Sequence, residues 1–251
     1  LKQGLVDRAV SRDLSWGVDI PLPGYDDKRM YVWIEAVLGY ITDTMRLAEE
    51  NGFDWEDFWK EGHNNKIYMC HGKDNIMFHS IILNALLLGQ EENYHLVDTI
   101  VSTEYLNYND QKFSKSKGIG VFGSDAKESG IPSDAWRFYI YYNRPENQDY
   151  QFTWKDFQEK YNKELIGNLG NLVNRTLTFV SRYYDGVIPQ GQIDQNLWAE
   201  IEKSEQKITE NLEWANLKDA FKEIFVISSI ANKAFQDGEP WKTRNTEPEK
   251  A

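Results

Sequence analysis

Lys112-Phe113-Ser114-Lys115-Ser116-Lys117-Gly118 places three lysines in seven residues with no acidic side chain among them, in a chain whose formal net charge is −12. Such a cluster offers positive charge to a polyanion, and its serines and closing glycine let the backbone approach one closely. A solvated lysine loop is the competing reading, and charge alone does not choose between them. Upstream, Gly72-Lys73-Asp74 falls where a strand-like run meets a helix-like one. There a glycine permits close backbone approach, and a carboxylate can accept hydrogen bonds from ribose hydroxyls. Asp74 serves equally well as a cap for the following helix. Downstream, Asn171 and Arg175 stand at i and i+4 and share a helix face; a surface ion pair is the plain reading of such an arginine.

The elements that must position these groups can be read from apolar periodicity. Residues 29–34 read as a strand, 36–50 as a helix, 66–70 as a strand, 75–88 as a buried helix stopped by Gly89, and 97–103 as a third strand. Strand–helix alternation of this kind predicts α/β architecture, the second half of a doubly wound parallel, Rossmann-like sheet. The lysine cluster then leaves the end of the third strand as a mobile loop, the side on which open α/β sheets bind nucleotides. From residue 124 the pattern turns helical. Ser133 caps a helix over 135–142, and Thr153 to Asp156 resembles a capping box. The helix after it runs towards Tyr184, bent near Gly167 and Gly170, and ends at Gly186. Helices over 196–212 and 217–235 complete an all-α antiparallel bundle. The expected division is 1–123 for the sheet domain with the lysine loop, 124–160 for a connecting segment, and 161–251 for the bundle.

Hydrophobic content of 41% and charged content of 27% are those of an ordinary globular chain. Nine tryptophans imply a large packed interior or stacking surfaces. Cys70 is the single cysteine; it excludes an internal disulfide, reads as a small core residue, and suits a reducing cytoplasm. No apolar run reaches the roughly 18 residues of a membrane span, so no membrane partner is expected. The acidic balance argues against indiscriminate nucleic-acid binding, but not against a nucleic acid read through a few local contacts.

The order of residues carries more than their charge. Lys112-Phe113-Ser114-Lys115-Ser116 resembles the KMSKS signature of class I aminoacyl-tRNA synthetases, with Phe113 in place of methionine. It is accompanied by Tyr31-Val32-Trp33-Ile34-Glu35-Ala36, Gly72-Lys73-Asp74-Asn75, Asn171-Leu172-Val173-Asn174-Arg175 and Pro240-Trp241. In this order the chain from Arg12 to Trp241 resembles the C-terminal part of the methionyl-tRNA synthetases. The resemblance implies a methionine–tRNA ligase that uses ATP with Mg2+ to activate methionine and then charges tRNA(Met).

The same resemblance implies roles for residues. Lys112 and Lys115 meet the charge that builds on the leaving pyrophosphate, and Gly72 and Asp74 hold the adenosine. Trp33, Ala36, Tyr40 and His79 form the methionine pocket, whose aromatic walls suit a polarisable thioether. His79 offers the polar contact near sulfur. From the residues alone, Trp33 and Tyr40 read equally as core and His79 as a structural histidine. Arg12 supports the active site, or else forms a structural salt bridge. Asn171, Arg175 and Trp241 contact the anticodon, whose unpaired bases can stack on an indole and bond to amide and guanidinium groups. Singly, Trp241 reads as a packing plug beside Pro240. Val37, Asn75 and Leu83 depart from residues common among the relatives, at positions near the pocket.

No His-Ile-Gly-His or close variant precedes Trp33, and the zinc-bearing insertion of the family is absent. The chain is therefore expected to be a piece of a longer polypeptide. It is expected to lack the N-terminal half of the catalytic domain with its HIGH half-site, to bind no zinc or other metal, and to be inactive alone. The alternatives are a non-catalytic tRNA-binding module derived from a class I synthetase, and a class I synthetase for another amino acid.

Overall fold

A computed structural model describes Gly4 and residues 7–188 and 190–246. Packing gathers into two units, Leu1–Thr103 and Glu104–Ala251, so it divides ahead of the boundary expected at residue 123. Mixed parallel and antiparallel strands are combined with helices in both sequence and space.

In the first unit, strands Tyr68–Gly72 and Thr99–Thr103 run parallel, in register from Tyr68↔Thr99 to Gly72↔Thr103. Between them the chain makes a 3-10 turn at Lys73–Asn75, a π-helical turn at Phe78–Ile82 and an α-helical segment at Leu83–Leu88. Helix Gly39–Asn51 packs on the other side of a core formed by Val37, Ile41, Trp59, Met69, Phe78, Leu83 and Leu87. Two expectations are corrected. The strand read over 29–34 shrinks to Arg29–Met30, which pairs antiparallel with Ser11–Arg12 and lies outside the parallel sheet. Val32–Glu35 is helical instead. Strand propensity in a short aromatic and β-branched run yields to packing, and here Trp33 stacks on Phe78 with ring centroids 5.2 Å apart. Cys70 is exposed rather than core, because alternation along the strand gives the buried face to Met69.

The second unit opens on a hairpin. Leu106–Tyr108 pairs antiparallel with Gln111–Lys112 through Asn109 and Asp110, whose φ angles of 44° and 63° make the tight turn. An Asn-Asp pair between two β-prone runs was the available signal. Strand Tyr150–Phe152 lies parallel to Leu106–Tyr108 on its other edge. Phe152 is buried at the junction, with Tyr108, Trp136 and Tyr139 rings 5.8, 6.2 and 5.3 Å away.

Helix Trp154–Lys160 starts from Thr153, whose hydroxyl accepts from Asp156 N at 3.1 Å. The reciprocal half of the expected capping box is not made. Asp156 Oδ2 instead accepts from the hydroxyls of Tyr139 and Tyr150, both at 2.8 Å. Ser133 is likewise corrected: Pro132 occupies the cap position of helix Ser133–Tyr142, and no side chain caps it. The bend expected at Gly167 and Gly170 is a π-helical stretch, Tyr161–Gly170, leading into helix Asn171–Tyr183. A Cβ at either glycine would press to 3.0–3.1 Å on the carbonyl five residues back, so glycine is what lets these wide turns close. Helix Gln195–Glu213, capped by Asp194, packs against helix Leu217–Gly238. Glu239 then adopts a left-handed conformation and Pro240–Thr243 makes a last turn.

Burial first, and the bond to Asp156 second, push the Tyr139 and Tyr150 hydroxyls above the ordinary phenol range. A raised native pKa gives stability that is complete below the unfolded value of about 10 and is lost as pH climbs above it. Tyr139→Phe should cost about 1.5–3 kcal/mol, the range for a hydrogen bond to a charged group. It should also flatten the fall in thermal midpoint above pH 10. Parallel alkaline profiles for wild type and variant would contradict the assignment.

Candidate functional site

In the first unit two of the expected pocket residues, Tyr40 and His79, are bonded to each other. The Tyr40 hydroxyl lies 2.9 Å from His79 Nε2, and His79 Nδ1 lies 2.9 Å from the Asn75 carbonyl. A carbonyl can only accept, so Nδ1 carries a hydrogen, and Nε2 is left to pair with the Tyr40 hydroxyl. Both nitrogens of His79 are thus committed, and its side chain is 3% exposed. Trp33 and Tyr40 keep 38% and 43% of their surface exposed, which answers the core reading for both. Ala36 is exposed as well, one helical turn before Tyr40. Val37 and Leu83 are buried core residues, at 1% and 0% exposure.

His71 was not singled out from the sequence, yet its ring stacks on His79 at 4.4 Å. Its Nδ1 lies 3.0 Å from the Gly72 carbonyl. A histidine directly before Gly72-Lys73-Asp74 was the available signal. Gly72 ends the strand with open space where a Cβ would stand, so a ligand can reach its backbone. The following turn starts from Gly72, and Asp74 lies exposed inside it. Arg12 makes no salt bridge among the described residues. Its guanidinium sits 3.8 Å from the centre of the Tyr31 ring and donates to the Ala9 and Ser11 carbonyls at 2.7 and 2.8 Å.

In the second unit the lysine segment forms a turn closed by backbone hydrogen bonds. Ser114 and Ile119 exchange backbone hydrogen bonds of 2.9 and 3.0 Å, and Lys115–Lys117 forms a 3-10 turn between them. Phe113 fixes this turn to the hairpin. Its ring meets Tyr108 edge-on at 5.8 Å and lies against Gly120, where an added Cβ would come within 2.2 Å of it. Gly120 also has a φ of 133°, so no larger residue fits there without moving the ring. Lys112 Nζ rests 4.4 Å from the centre of the Tyr105 ring. Lys115 and Lys117 are exposed and form no ion pair among the described residues, so their charge is available to an incoming anion.

The remaining three expected residues gather on the seam between helices Asn171–Tyr183 and Leu217–Gly238. Asn171 Nδ2 donates to Asn232 Oδ1 at 3.1 Å, and an Arg175 terminal nitrogen donates to Gln236 Oε1 at 3.0 Å. The Arg175 guanidinium lies 4.6 Å from the centre of the Phe235 ring, and Trp241 packs on the same ring at 6.0 Å. Among the described residues Arg175 has no carboxylate partner, so the ion-pair reading falls. Trp241 is half-buried, which leaves part of its indole for stacking. No group of three His, Cys, Asp or Glu that could hold a metal occurs among the described residues. No helix there is long and apolar enough to cross a membrane.

Residues 1–177 match the family model described as tRNA synthetases class I (M). The chain is 54% identical over 262 residues to a methionine–tRNA ligase of Treponema denticola, covering 100% of this chain and 33% of that protein. It is 47% identical over 250 residues to one from Borrelia hermsii, covering 100% and 34%. Among solved structures, Mycobacterium tuberculosis methionyl-tRNA synthetase in complex with methionyl-adenylate superposes with a TM-score of 0.79 at 26% identity, over 98% of this chain and 47% of that one. The chain thus spans about a third of the length of the curated relatives it matches. It belongs to the class I (M) family of tRNA synthetases.

Proposed function

We propose that this chain serves a methionine–tRNA ligase, supplying the second half of a Rossmann-like catalytic domain (1–123), a connecting segment (124–160) and an antiparallel anticodon-binding bundle (161–251). The observation that carries the proposal is the similarity along the whole chain to proteins named as methionine–tRNA ligases. Those names do not favour the non-catalytic module. ATP with Mg2+, methionine and tRNA(Met) are the substrates of this reading, and the cytoplasm is its setting.

The chemistry asks little covalent work of the protein. The methionine carboxylate attacks the α-phosphorus of ATP, the bond to the pyrophosphate oxygen breaks, and negative charge collects on the leaving group. Positioning and charge stabilisation carry such a step. Lys115 and Lys112 meet the leaving group; Lys115 is the freer of the two, since Lys112 rests on Tyr105. Gly72 and Asp74 receive the adenosine, supported by the open space over Gly72. Trp33, Ala36 and Tyr40 wall the methionine side chain, with His79 orienting the Tyr40 hydroxyl. Arg12 acts from behind Tyr31. Asn171, Arg175 and Trp241 read the anticodon. With the HIGH half-site absent from these residues, the isolated chain does not activate methionine.

In the full-length enzyme, Lys115→Ala should slow adenylate formation by on the order of 10²–10³ and leave the ATP dissociation constant almost unchanged. Equal losses in rate and binding would reduce Lys115 to simple electrostatic attraction. Trp241→Ala should impair tRNA charging by about tenfold or more, the loss of one stacked base, and spare ATP–pyrophosphate exchange. Damage to both activities would make Trp241 a packing residue.

A further inference from the structure

Asn232 is the node of a side-chain network that fixes which way Asn171 points. Its Nδ2 donates to the backbone carbonyls of Asn168 at 2.9 Å and Ser228 at 3.1 Å, and lies 3.3 Å from Asn168 Oδ1. Backbone carbonyls accept only, so the amide of Asn232 cannot be turned round without setting oxygen against oxygen. Its Oδ1 is therefore held towards Asn171, and Asn171 must answer with Nδ2, at 3.1 Å. The Asn171 oxygen is left without a hydrogen bond among the described residues. Asn168 is anchored in turn, its Nδ2 donating to the Phe225 carbonyl and to Ser229 Oγ, both at 2.9 Å. One helical turn beyond Asn232, Gln236 does the same for Arg175: its Oε1 takes one terminal nitrogen at 3.0 Å while Phe235 supports the plane of the guanidinium.

The helix that presents Asn171 is shaped for this network. Asn168 sits in the π-helical stretch that ends at Gly170, immediately before Asn171. Its carbonyl is shared between the Asn171 N–H and the Asn232 amide. Packing alone asks for no such arrangement. Alanine and leucine would join two helices as well, whereas Asn168, Asn171, Asn232 and Gln236 spend their amides on orientation.

We infer that Asn232 and Gln236 are positioning residues that set the Asn171 amide and the Arg175 guanidinium for recognition of unpaired nucleotide bases. The inference rests on the anticodon reading of Asn171 and Arg175 and adds what makes their donors and acceptors face the RNA in one arrangement. In that arrangement Asn171 presents an acceptor oxygen, suited to the amino group of an unpaired base.

A double-mutant cycle on the 251-residue chain tests it, with an RNA hairpin carrying the CAU anticodon as the probe. Asn232→Ala and Asn171→Ala should each weaken hairpin binding by about tenfold. The double variant should be little worse than either, because a misaimed Asn171 has nothing left to lose. Gln236→Ala and Arg175→Ala should couple in the same way. Gln236 is exposed, so this second cycle stands even if Asn232→Ala lowers the thermal midpoint enough to unfold the chain. Losses that simply multiply in both cycles would overturn the inference and leave Asn232 and Gln236 as helix-joining residues. If the wild-type chain fails to bind the hairpin, or Asn171→Ala and Arg175→Ala leave binding unchanged, the anticodon reading itself fails and the inference falls with it.

Discussion

One carboxylate holds the second unit in its working shape. Asp156 accepts from Tyr139 on one helix and from Tyr150 on the strand beside the lysine hairpin, while its own N–H is taken by the Thr153 hydroxyl. Three elements meet at that point: the small sheet that carries Lys112, the helix Ser133–Tyr142, and the start of the long helical run that ends in Asn171 and Arg175. A half-buried carboxylate is costly unless its lone pairs are used, and here two tyrosine hydroxyls use them. The geometry is then hard to shift, because moving any one element leaves a buried charge short of a partner.

The two candidate surfaces of this unit use different means to hold their functional groups. The lysine turn is pinned by shape: Phe113 fills the space that Gly120 leaves, and backbone bonds between Ser114 and Ile119 close the base. Lys115 and Lys117 stay exposed and form no ion pair among the described residues. The helical seam is pinned by hydrogen bonds. Its groups must present defined donors and acceptors, and only neighbouring amides and carbonyls can set those. In the first unit the proposed pocket surface is held chiefly by aromatic packing of Trp33 on Phe78, with a bond between Tyr40 and His79.

Much of this was legible in the sequence where local chemistry decides the outcome. The helix over 217–235, the stop at Gly89, the Thr153 cap and the disturbance at Gly167 and Gly170 follow from capping, periodicity and backbone permissiveness, and all are present. The i, i+4 pairing of Asn171 and Arg175 on one face is present too. What failed were segments whose state depends on partners far along the chain. Residues 29–34 had the composition of a strand, but half of that stretch, Val32 to Ile34, became helix, with Trp33 against Phe78. Asp156 looked like half of a capping box until two tyrosines from other elements claimed it. Asn232 and Gln236 carried no local pattern, since their contacts depend on a helix 61 residues away in the chain. The family-level reading was legible because five short motifs occur in order, whereas the two-residue turn at Asn109-Asp110 was visible and simply outweighed by the strand–helix pattern around it.

The role proposed for these residues is the activation of methionine. ATP–pyrophosphate exchange by the full-length protein, run with each amino acid in turn, tests it most directly. Exchange that depends on methionine, with no comparable signal from any other amino acid, is the predicted result. Exchange driven by a different amino acid, or by none, would contradict it.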